Sequence, residues 1–166
     1  MQIETHRLLL RGFLPEDDAG LHEILGDAEV MALCEPPYDF HKTEEFLSSF
    51  CIGQQRAIAA VHKESGKLIG YLLFSEAEAG IYELGWFLNR RFWRQGYAFE
   101  ACRAVIGYAF SELNARKVFA ETIDTEKSVG LMRKLGMQFE GIEPAQPTGI
   151  SDNRKELYLY AITKAD

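Results

Sequence analysis

The chain has 166 residues, of which 47% are apolar and 26% are charged. It is therefore long enough for one folded domain with a full core, and too rich in apolar side chains to be intrinsically disordered. Its 18 basic and 25 acidic residues give a formal net charge of −7. This balance argues against a nucleic-acid partner, because proteins that bind phosphate backbones normally carry an excess of Lys and Arg.

The cysteines and the apolar runs indicate the compartment. Cys34, Cys51 and Cys102 lie far apart without a CxxC pair, which argues against a disulfide framework or a zinc site. The first residues lack a basic start followed by a long apolar stretch, so no signal peptide is predicted. The longest strongly apolar run, 68–74, is far shorter than a membrane-spanning helix, and we expect no membrane partner. The expected location is the cytoplasm.

The first third of the chain reads as a strand followed by helices. An opening strand is predicted at 8–10. Pro15 and the acids after it suit the first turn of a helix, and Gly26 is a natural end for that helix. The Pro36-Pro37 pair then breaks the chain, and a second helix is predicted over 43–52.

The centre of the chain changes to strands. Three runs rich in β-formers are separated by short loops that carry Gly66 and Gly80, a pattern typical of an antiparallel meander. The predicted elements from the meander onward are strands 56–62, 67–75 and 81–88, helix 97–113, strand 117–123, helix 126–135, and strands 137–142 and 155–163. Consecutive strands without intervening helices disfavour a wholly parallel sheet. The predicted fold class is therefore α/β (α+β), with residues 1–166 forming one domain around one twisted sheet.

The most informative stretch joins the strand that ends at Leu88 to the helix that begins at Tyr97. The first N–H groups of a helix lack internal partners and lie at the positive end of its dipole, so they attract anions. Gly96 lets the backbone approach a phosphate closely, and Ala98 is small enough to leave that approach clear. A glycine at such a turn is more often only a turn, so spacing alone leaves both interpretations open.

The sequence of this stretch resembles a known family. Trp93-Arg94-Gln95-Gly96-Tyr97-Ala98, followed by Glu100-Ala101, is similar to the acyl-CoA pyrophosphate loop of the GNAT N-acetyltransferase superfamily, and within it to the ribosomal-protein N-terminal acetyltransferases. Four more segments resemble family motifs, in the family's order along nearly the whole chain: 5–11, 67–70, 82–86 and 128–137. Two positions depart from the pattern, with Arg94 in place of the usual glycine and Thr125 in place of a frequent asparagine.

The resemblance implies a fold and a co-substrate. The implied fold is a mainly antiparallel twisted sheet of about six to seven strands flanked by about four helices. The implied co-substrate is acetyl-CoA, with no metal. Its pantetheine arm would lie between two splayed strands and pair with the backbone of Trp86, Phe87 and Leu88, with an N–H near Phe87 facing the thioester oxygen. The remaining cofactor-binding residues implied in this way are Arg94, Gln95, Gly96, Tyr97, Ala98, Phe99 and Thr125.

Two residues are candidates for catalysis. Alternation along the strand places Glu83, Gly85 and Phe87 on one face, where the Glu83 carboxylate would take a proton from the attacking amine. The alternative interpretation of Glu83 is an ordinary surface residue. The resemblance implies that Ser128 protonates the departing thiolate. Its alternative interpretation is a first-turn helix residue, with Thr125 as the N-cap.

The expected acceptor is a primary amine that is cationic before it reacts, either a peptide N-terminus or a small amine. Two irregular segments with prolines, 35–41 and 144–153, would border it, and their carboxylates are Glu35, Asp39 and Asp152. We expect a monomer or homodimer. Structural roles are expected for His22, His62 and Cys102. Two alternatives stay open: a non-catalytic CoA-binding module of the same fold, and a structural or partner-binding domain in which the loop is a plain turn.

Overall fold

The computed structural model describes residues 1–144 and 156–165, which form one eight-stranded sheet and four α-helices. The strands are β1 (Gln2–Glu4), β2 (Leu8–Arg11), β3 (Ala57–His62), β4 (Leu68–Glu78), β5 (Ile81–Leu88), β6 (Lys117–Thr122), β7 (Gln138–Pro144) and β8 (Glu156–Thr163). The helices are α1 (Asp18–Leu25), α2 (Phe40–Phe46), α3 (Tyr97–Ser111) and α4 (Lys127–Lys134).

The strands lie in the order β1-β2-β3-β4-β5-β6-β8-β7. Every neighbouring pair is antiparallel except β5 and β6, which run parallel. The predicted mixed, mainly antiparallel sheet with four helices is confirmed. The count of eight strands is slightly higher than the predicted six to seven, because β1 adds a strand. Its three residues are mostly polar and show no apolar run, so their pairing with β2 leaves no local pattern in the sequence.

The sheet separates two apolar layers. On one face, α3 and α4 pack against the sheet through fully buried side chains such as Val105 and Met132. On the other face, α1 and the segment after it cover Tyr71 and its neighbours with Leu21 and Ile24. Each helix thus buries one apolar stripe, which is how a helix is held rigidly on a sheet.

Side-chain caps move two helix starts away from the predicted positions. Asp39 accepts a hydrogen bond from the Lys42 N–H (2.7 Å), so α2 begins at Phe40 and continues into the wider π-type turns of Leu47–Gly53. The Asp124 carboxylate accepts from the N–H groups of Glu126 and Lys127 at 2.9 and 3.0 Å. The alternative interpretation in which Thr125 caps α4 is therefore wrong, because the carboxylate of Asp124 supplies the oxygen.

Candidate active site

The sheet opens between its two parallel strands. β5 and β6 pair from Ile81 opposite Lys117 as far as Glu83 opposite Phe119. Beyond that point both strands continue, β5 to Leu88 and β6 to Thr122, without pairing to each other. The second half of β5 therefore presents backbone N–H and C=O groups to a gap in the sheet, where an extended ligand with amide groups can bond to them.

Alternation along β5 decides which backbone groups face this opening. The Asn89 N–H donates to the Ile69 carbonyl of the β4 side (2.8 Å), whereas the Gly80 carbonyl accepts from Arg116 on the β6 side (2.8 Å). Since backbone groups alternate between the two edges of a strand, Phe87 bonds to β4, and Trp86 and Leu88 face the opening. The expected N–H near Phe87 that faces a thioester would thus belong to Trp86 or Leu88, and this placement stays a prediction.

The opening is bordered by a loop, residues 93–96, which we call the anion loop. Arg94 and Gly96 both have left-handed backbone angles, with φ of 61° and 82°. The first hydrogen bond of α3 runs from the Glu100 N–H to the Gly96 carbonyl (3.1 Å), so the N–H groups of residues 96–99 have no helical acceptors. A curled backbone followed by a helix N-terminus concentrates N–H groups in one place and favours an anion there.

Side chains of the anion loop hold it to the surrounding structure. The Trp93 indole N–H donates to the Leu88 carbonyl at the end of β5 (2.9 Å), and the Gln95 amide donates to the Arg91 carbonyl (3.1 Å). Tyr97 is buried, with its hydroxyl 3.1 Å from Nε2 of His62. The Tyr97 ring therefore points inward, so that its backbone N–H is the part that remains for a ligand. Ala98 and Phe99, the last two of the predicted cofactor-binding residues 94–99, lie in α3 and are half-buried.

Arg7 and Glu100 also contact this region, and neither was predicted as a site residue. Nε of Arg7 lies 2.7 Å from Oε2 of Glu100, and the Arg7 Nη1 donates to the Gln95 carbonyl (3.0 Å). The sequence placed Glu100 in the predicted helix 97–113 but indicated no partner for it. A sequence signal did exist, since Arg7 and Glu100 both lie in the segments that resemble family motifs.

The first turn of α4 lies beside the anion loop. Nζ of Lys127 is 5.5 Å from the centre of the Trp93 ring. Ser128, the next residue, is half-buried, and Thr125 is exposed in the turn before the helix. Because α3 and α4 share one face of the sheet, the structure brings Ser128, Thr125 and the anion loop to the same side of the opening.

Glu83 lies on the opposite face. It is the last residue of β5 that pairs with β6, and its side chain shares a face with that of Phe87, which packs against the layer of α1. The neighbouring carboxyl group is Glu121, two residues beyond Phe119 on β6. The pKa of Glu121 is raised by partial burial, by the charges of Glu83 and Glu143 and by a hydrogen bond with Glu83. The negative charge of Glu83 at the mouth of the opening therefore favours the protonated form of Glu121.

Further polar groups border this face. Tyr71 of β4 is buried beneath the layer of α1. The pKa of its hydroxyl is raised by this burial and by the nearby Cys51, Tyr38, Glu83 and Glu35. The Tyr38 hydroxyl donates to the Glu35 carboxylate (2.9 Å). The segment 35–41 thus reaches the face that carries Glu83. The predicted acceptor segment 144–153, with Asp152, lies outside the described residues after Pro144.

The remaining candidates have structural surroundings. Nδ1 of His22 is 3.0 Å from the Thr43 hydroxyl, and His62 lies between Tyr97 and Ser65. Cys102 is fully buried in α3, and burial raises the pKa of its thiol. Within residues 1–144 and 156–165, no group of three or more His, Cys, Asp or Glu side chains has the geometry of a metal site. In the same part of the chain, no helix is both long and apolar enough to cross a membrane.

Sequence comparison connects this geometry to known proteins. A family profile described as "Acetyltransferase (GNAT) domain" matches residues 7–138. The uncharacterized N-acetyltransferase YnaD of Bacillus subtilis (strain 168) is 30% identical over 171 residues, a match that covers 100% of this chain and 99% of YnaD.

Three solved structures share the fold. A GNAT-family acetyltransferase from Bacillus anthracis superimposes with a TM-score of 0.89 at 28% identity, and the match covers 98% of each chain. The ribosomal-protein-S5-alanine acetyltransferase of Vibrio fischeri gives 0.81 at 18% identity, over 100% of this chain and 98% of that one. The spermidine N-acetyltransferase of Vibrio cholerae, solved with CoA and spermine, gives 0.82 at 20% identity over 96% of each chain. The last two similarities establish the shared fold alone.

Proposed function

The chain belongs to the GNAT acetyltransferase family, and on that premise we propose that it transfers an acetyl group from acetyl-CoA to a primary amine within a ternary complex. One observation carries the proposal. The opening between β5 and β6 has an anion-binding loop on one face of the sheet and the carboxylate of Glu83 on the other. A cofactor and an amine that enter from opposite faces meet in this opening.

The cofactor side is formed mainly by backbone groups. We place the pyrophosphate of CoA on the N–H groups of residues 94–99 and the amides of its pantetheine arm along β5. The Trp86 backbone and the Leu88 N–H face that arm, whereas the Leu88 carbonyl is already bonded to Trp93. Thr125, exposed before α4, borders the same side. These donors are uncharged, which suits a ligand that must be released after each turnover.

The chemistry follows from the two faces. Acetyl-CoA supplies the acyl group as a thioester, whose carbon is attacked by the amine nitrogen and whose C–S bond then breaks. Glu83 takes the proton that the amine must lose, since an α-amine has a pKa of about 8 and is largely protonated at neutral pH. The Trp86 or Leu88 N–H stabilises the oxygen that gains negative charge. Ser128 gives a proton to the sulfur, whose pKa of about 8.5 already makes it a good leaving group. Ser128 regains a proton from solvent, and Glu83 releases its proton to solvent.

The acceptor class is proposed from charge. Glu35, Glu83 and Glu121 line the face from which the acceptor enters, and the whole chain has a net charge of −7. A cationic amine is attracted to such a face before it loses its proton. We therefore propose a peptide N-terminus first, and a small polyamine or amino sugar second. We further propose that residues 1–166 form a single domain and that the protein is a monomer or homodimer. A cytoplasmic location completes the proposal and suits the three free cysteines.

The decisive experiment measures free thiol released from acetyl-CoA with a panel of amines: peptides with free N-termini, polyamines, amino sugars and free lysine. We expect release above the hydrolysis background with at least one peptide or polyamine. Isothermal titration of the same protein with CoA provides the control. If CoA binds and no amine supports turnover, the chain is a non-catalytic CoA-binding module. If CoA does not bind, the assignment of the anion loop is refuted.

A further inference from the structure

Arg7 lies next to the anion loop but takes no part in the chemistry proposed above. Its guanidinium makes three contacts with residues at the start of α3. Nε lies 2.7 Å from Oε2 of Glu100, Nη1 donates to the Gln95 carbonyl (3.0 Å), and the guanidinium carbon lies 3.9 Å from the centre of the Tyr97 ring. The planar fork of Arg allows these contacts to form together, which a Lys ammonium group cannot reproduce.

The position of Arg7 is itself fixed. Oε1 of Glu100 accepts hydrogen bonds from the Thr5 hydroxyl and the Arg7 backbone N–H, both at 2.7 Å. Burial would raise the pKa of Glu100, but the hydrogen bonds from Thr5 and Arg7 lower it below the ordinary value, so the carboxylate is ionised at neutral pH. On the other side, the Lys63 N–H donates to the Arg7 carbonyl (3.0 Å). Arg7 is therefore held from two directions.

The contact between Arg7 and Gln95 sets the direction of one peptide group. In a trans peptide the carbonyl of Gln95 and the N–H of Gly96 point in opposite directions, and the described chain has no cis peptide bonds. Arg7 draws the Gln95 carbonyl toward itself, so the Gly96 N–H points away from Arg7. Because glycine adopts positive and negative φ with similar ease, Gly96 offers little resistance to a rotation of this peptide. A rotated peptide would direct an oxygen, rather than an N–H, toward a bound anion.

We propose that Arg7 is a positioning residue for the cofactor, because it holds the Gln95 carbonyl and thereby presents the Gly96 N–H to the pyrophosphate. This inference rests on the proposed function. Arg7 acts through the loop and does not touch the substrate. Its charge is balanced by Glu100, so its effect on CoA comes from the orientation of the loop rather than from direct attraction.

The competing explanation is a structural ion pair that only ties the N-terminal segment to α3. Arg11 provides a matched control, because it forms an ion pair of the same kind with Asp17 through Nη1 and Nη2, at 2.8 and 3.0 Å. Both arginines are partly exposed and each pairs with a largely buried carboxylate. Arg11, however, has no contact with residues 93–96 among the hydrogen bonds and ion pairs of the described residues.

The experiment compares Arg7→Lys with Arg11→Lys. Both should lower the melting temperature by similar amounts. Arg7→Lys alone should raise the Kd for CoA and the KM for acetyl-CoA, on the order of tenfold, the effect of one hydrogen bond from a charged group. The KM of the acceptor and kcat at saturating acetyl-CoA should stay within about twofold, because the positioning acts on the cofactor.

A second measurement does not depend on a variant that folds. With ¹⁵N-glycine labelling, the 14 glycines give a countable amide spectrum, in which ¹³C labelling of the glutamine carbonyls assigns Gly96 through Gln95-Gly96, the one Gln–Gly pair of the sequence. We expect the Gly96 resonance to shift strongly when CoA is added to the parent protein. A parent that binds CoA while this resonance stays in place overturns the inference. So does an Arg7→Lys variant that binds CoA as tightly as Arg11→Lys. A parent that does not bind CoA overturns the proposed function as well.

Discussion

Replacing Gly96 with Val tests the anion loop directly. Gly96 has a φ of 82°, and a Cβ added there would lie 3.4 Å from Nη2 of Arg7. The contact is tolerable, so the main penalty is the left-handed backbone, which costs an L-residue about 1–2 kcal/mol, with β-branched side chains among the worst cases. For a domain of this size each kcal/mol lowers the melting temperature by about 2–4 °C. We therefore expect a decrease of roughly 2–8 °C.

Gly136 supplies a matched control. Its φ is 85°, and an added Cβ would lie 3.5 Å from Cδ1 of Ile162. Gly136→Val therefore carries nearly the same backbone penalty and nearly the same contact as Gly96→Val. Gly136 follows the C-terminal end of α4, however, whereas the anion loop borders the first turn of that helix. Loss of stability alone should change the Kd for CoA equally in both variants, so a difference between their Kd values reports on the anion loop.

The assay is titration calorimetry with CoA, together with thermal unfolding without ligand. Gly96→Val should bind CoA roughly tenfold to a hundredfold more weakly, which corresponds to the loss of one hydrogen bond to a charged group. Gly136→Val should bind CoA with an unchanged Kd. Equal Kd values for the two variants, at equal losses of melting temperature, would refute the placement of the pyrophosphate on this loop.

Three further predictions concern the acceptor face. Glu83→Gln should lower the acetylation rate at neutral pH by about 10²–10⁴-fold with an unchanged Kd for CoA; a rate within twofold of the parent would assign the base elsewhere. Glu121→Gln should raise the melting temperature at pH 7–8. The raised pKa of Glu121 means that the folded protein loses stability as pH rises through that pKa. The difference in melting temperature between variant and parent should therefore shrink toward pH 4. A difference that stays constant with pH contradicts repulsion between Glu121 and Glu83. Higher salt should raise the KM of the acceptor more than that of acetyl-CoA, because exposed carboxylates such as Glu35 are screened over about 8 Å; equal shifts would argue against steering.

Local patterns in the sequence predicted much of the fold. Strand alternation correctly separated Glu83, Gly85 and Phe87 from the face of β5 that packs against α3, and the glycine before the long helix marked the position of the anion loop. These features depend on residues a few positions apart, whose geometry the backbone period determines.

What could not be predicted depends on which strands become neighbours. Glu121 meets Glu83 because β6 pairs with β5 in a parallel register that begins at Lys117, after a helix of 15 residues intervenes. Arg7 meets Glu100 across 93 positions of sequence. The backbone direction of Phe87 likewise required the bond between Asn89 and Ile69. No local period encodes such long-range pairings, which depend on the global packing of the sheet.

The short pairing between β5 and β6 also divides the sheet into two parts that few hydrogen bonds connect. In the part of the chain that the structure describes, three residue pairs join these strands, whereas six join β6 to β8. The segment from β6 to β8 is contiguous in sequence, and contiguous units of this kind tend to open and close cooperatively. A ligand that bonds to both strands across the gap would add hydrogen bonds between the two parts. Amide hydrogen exchange in β6 and β8 should therefore slow when CoA binds, even at residues that never touch it.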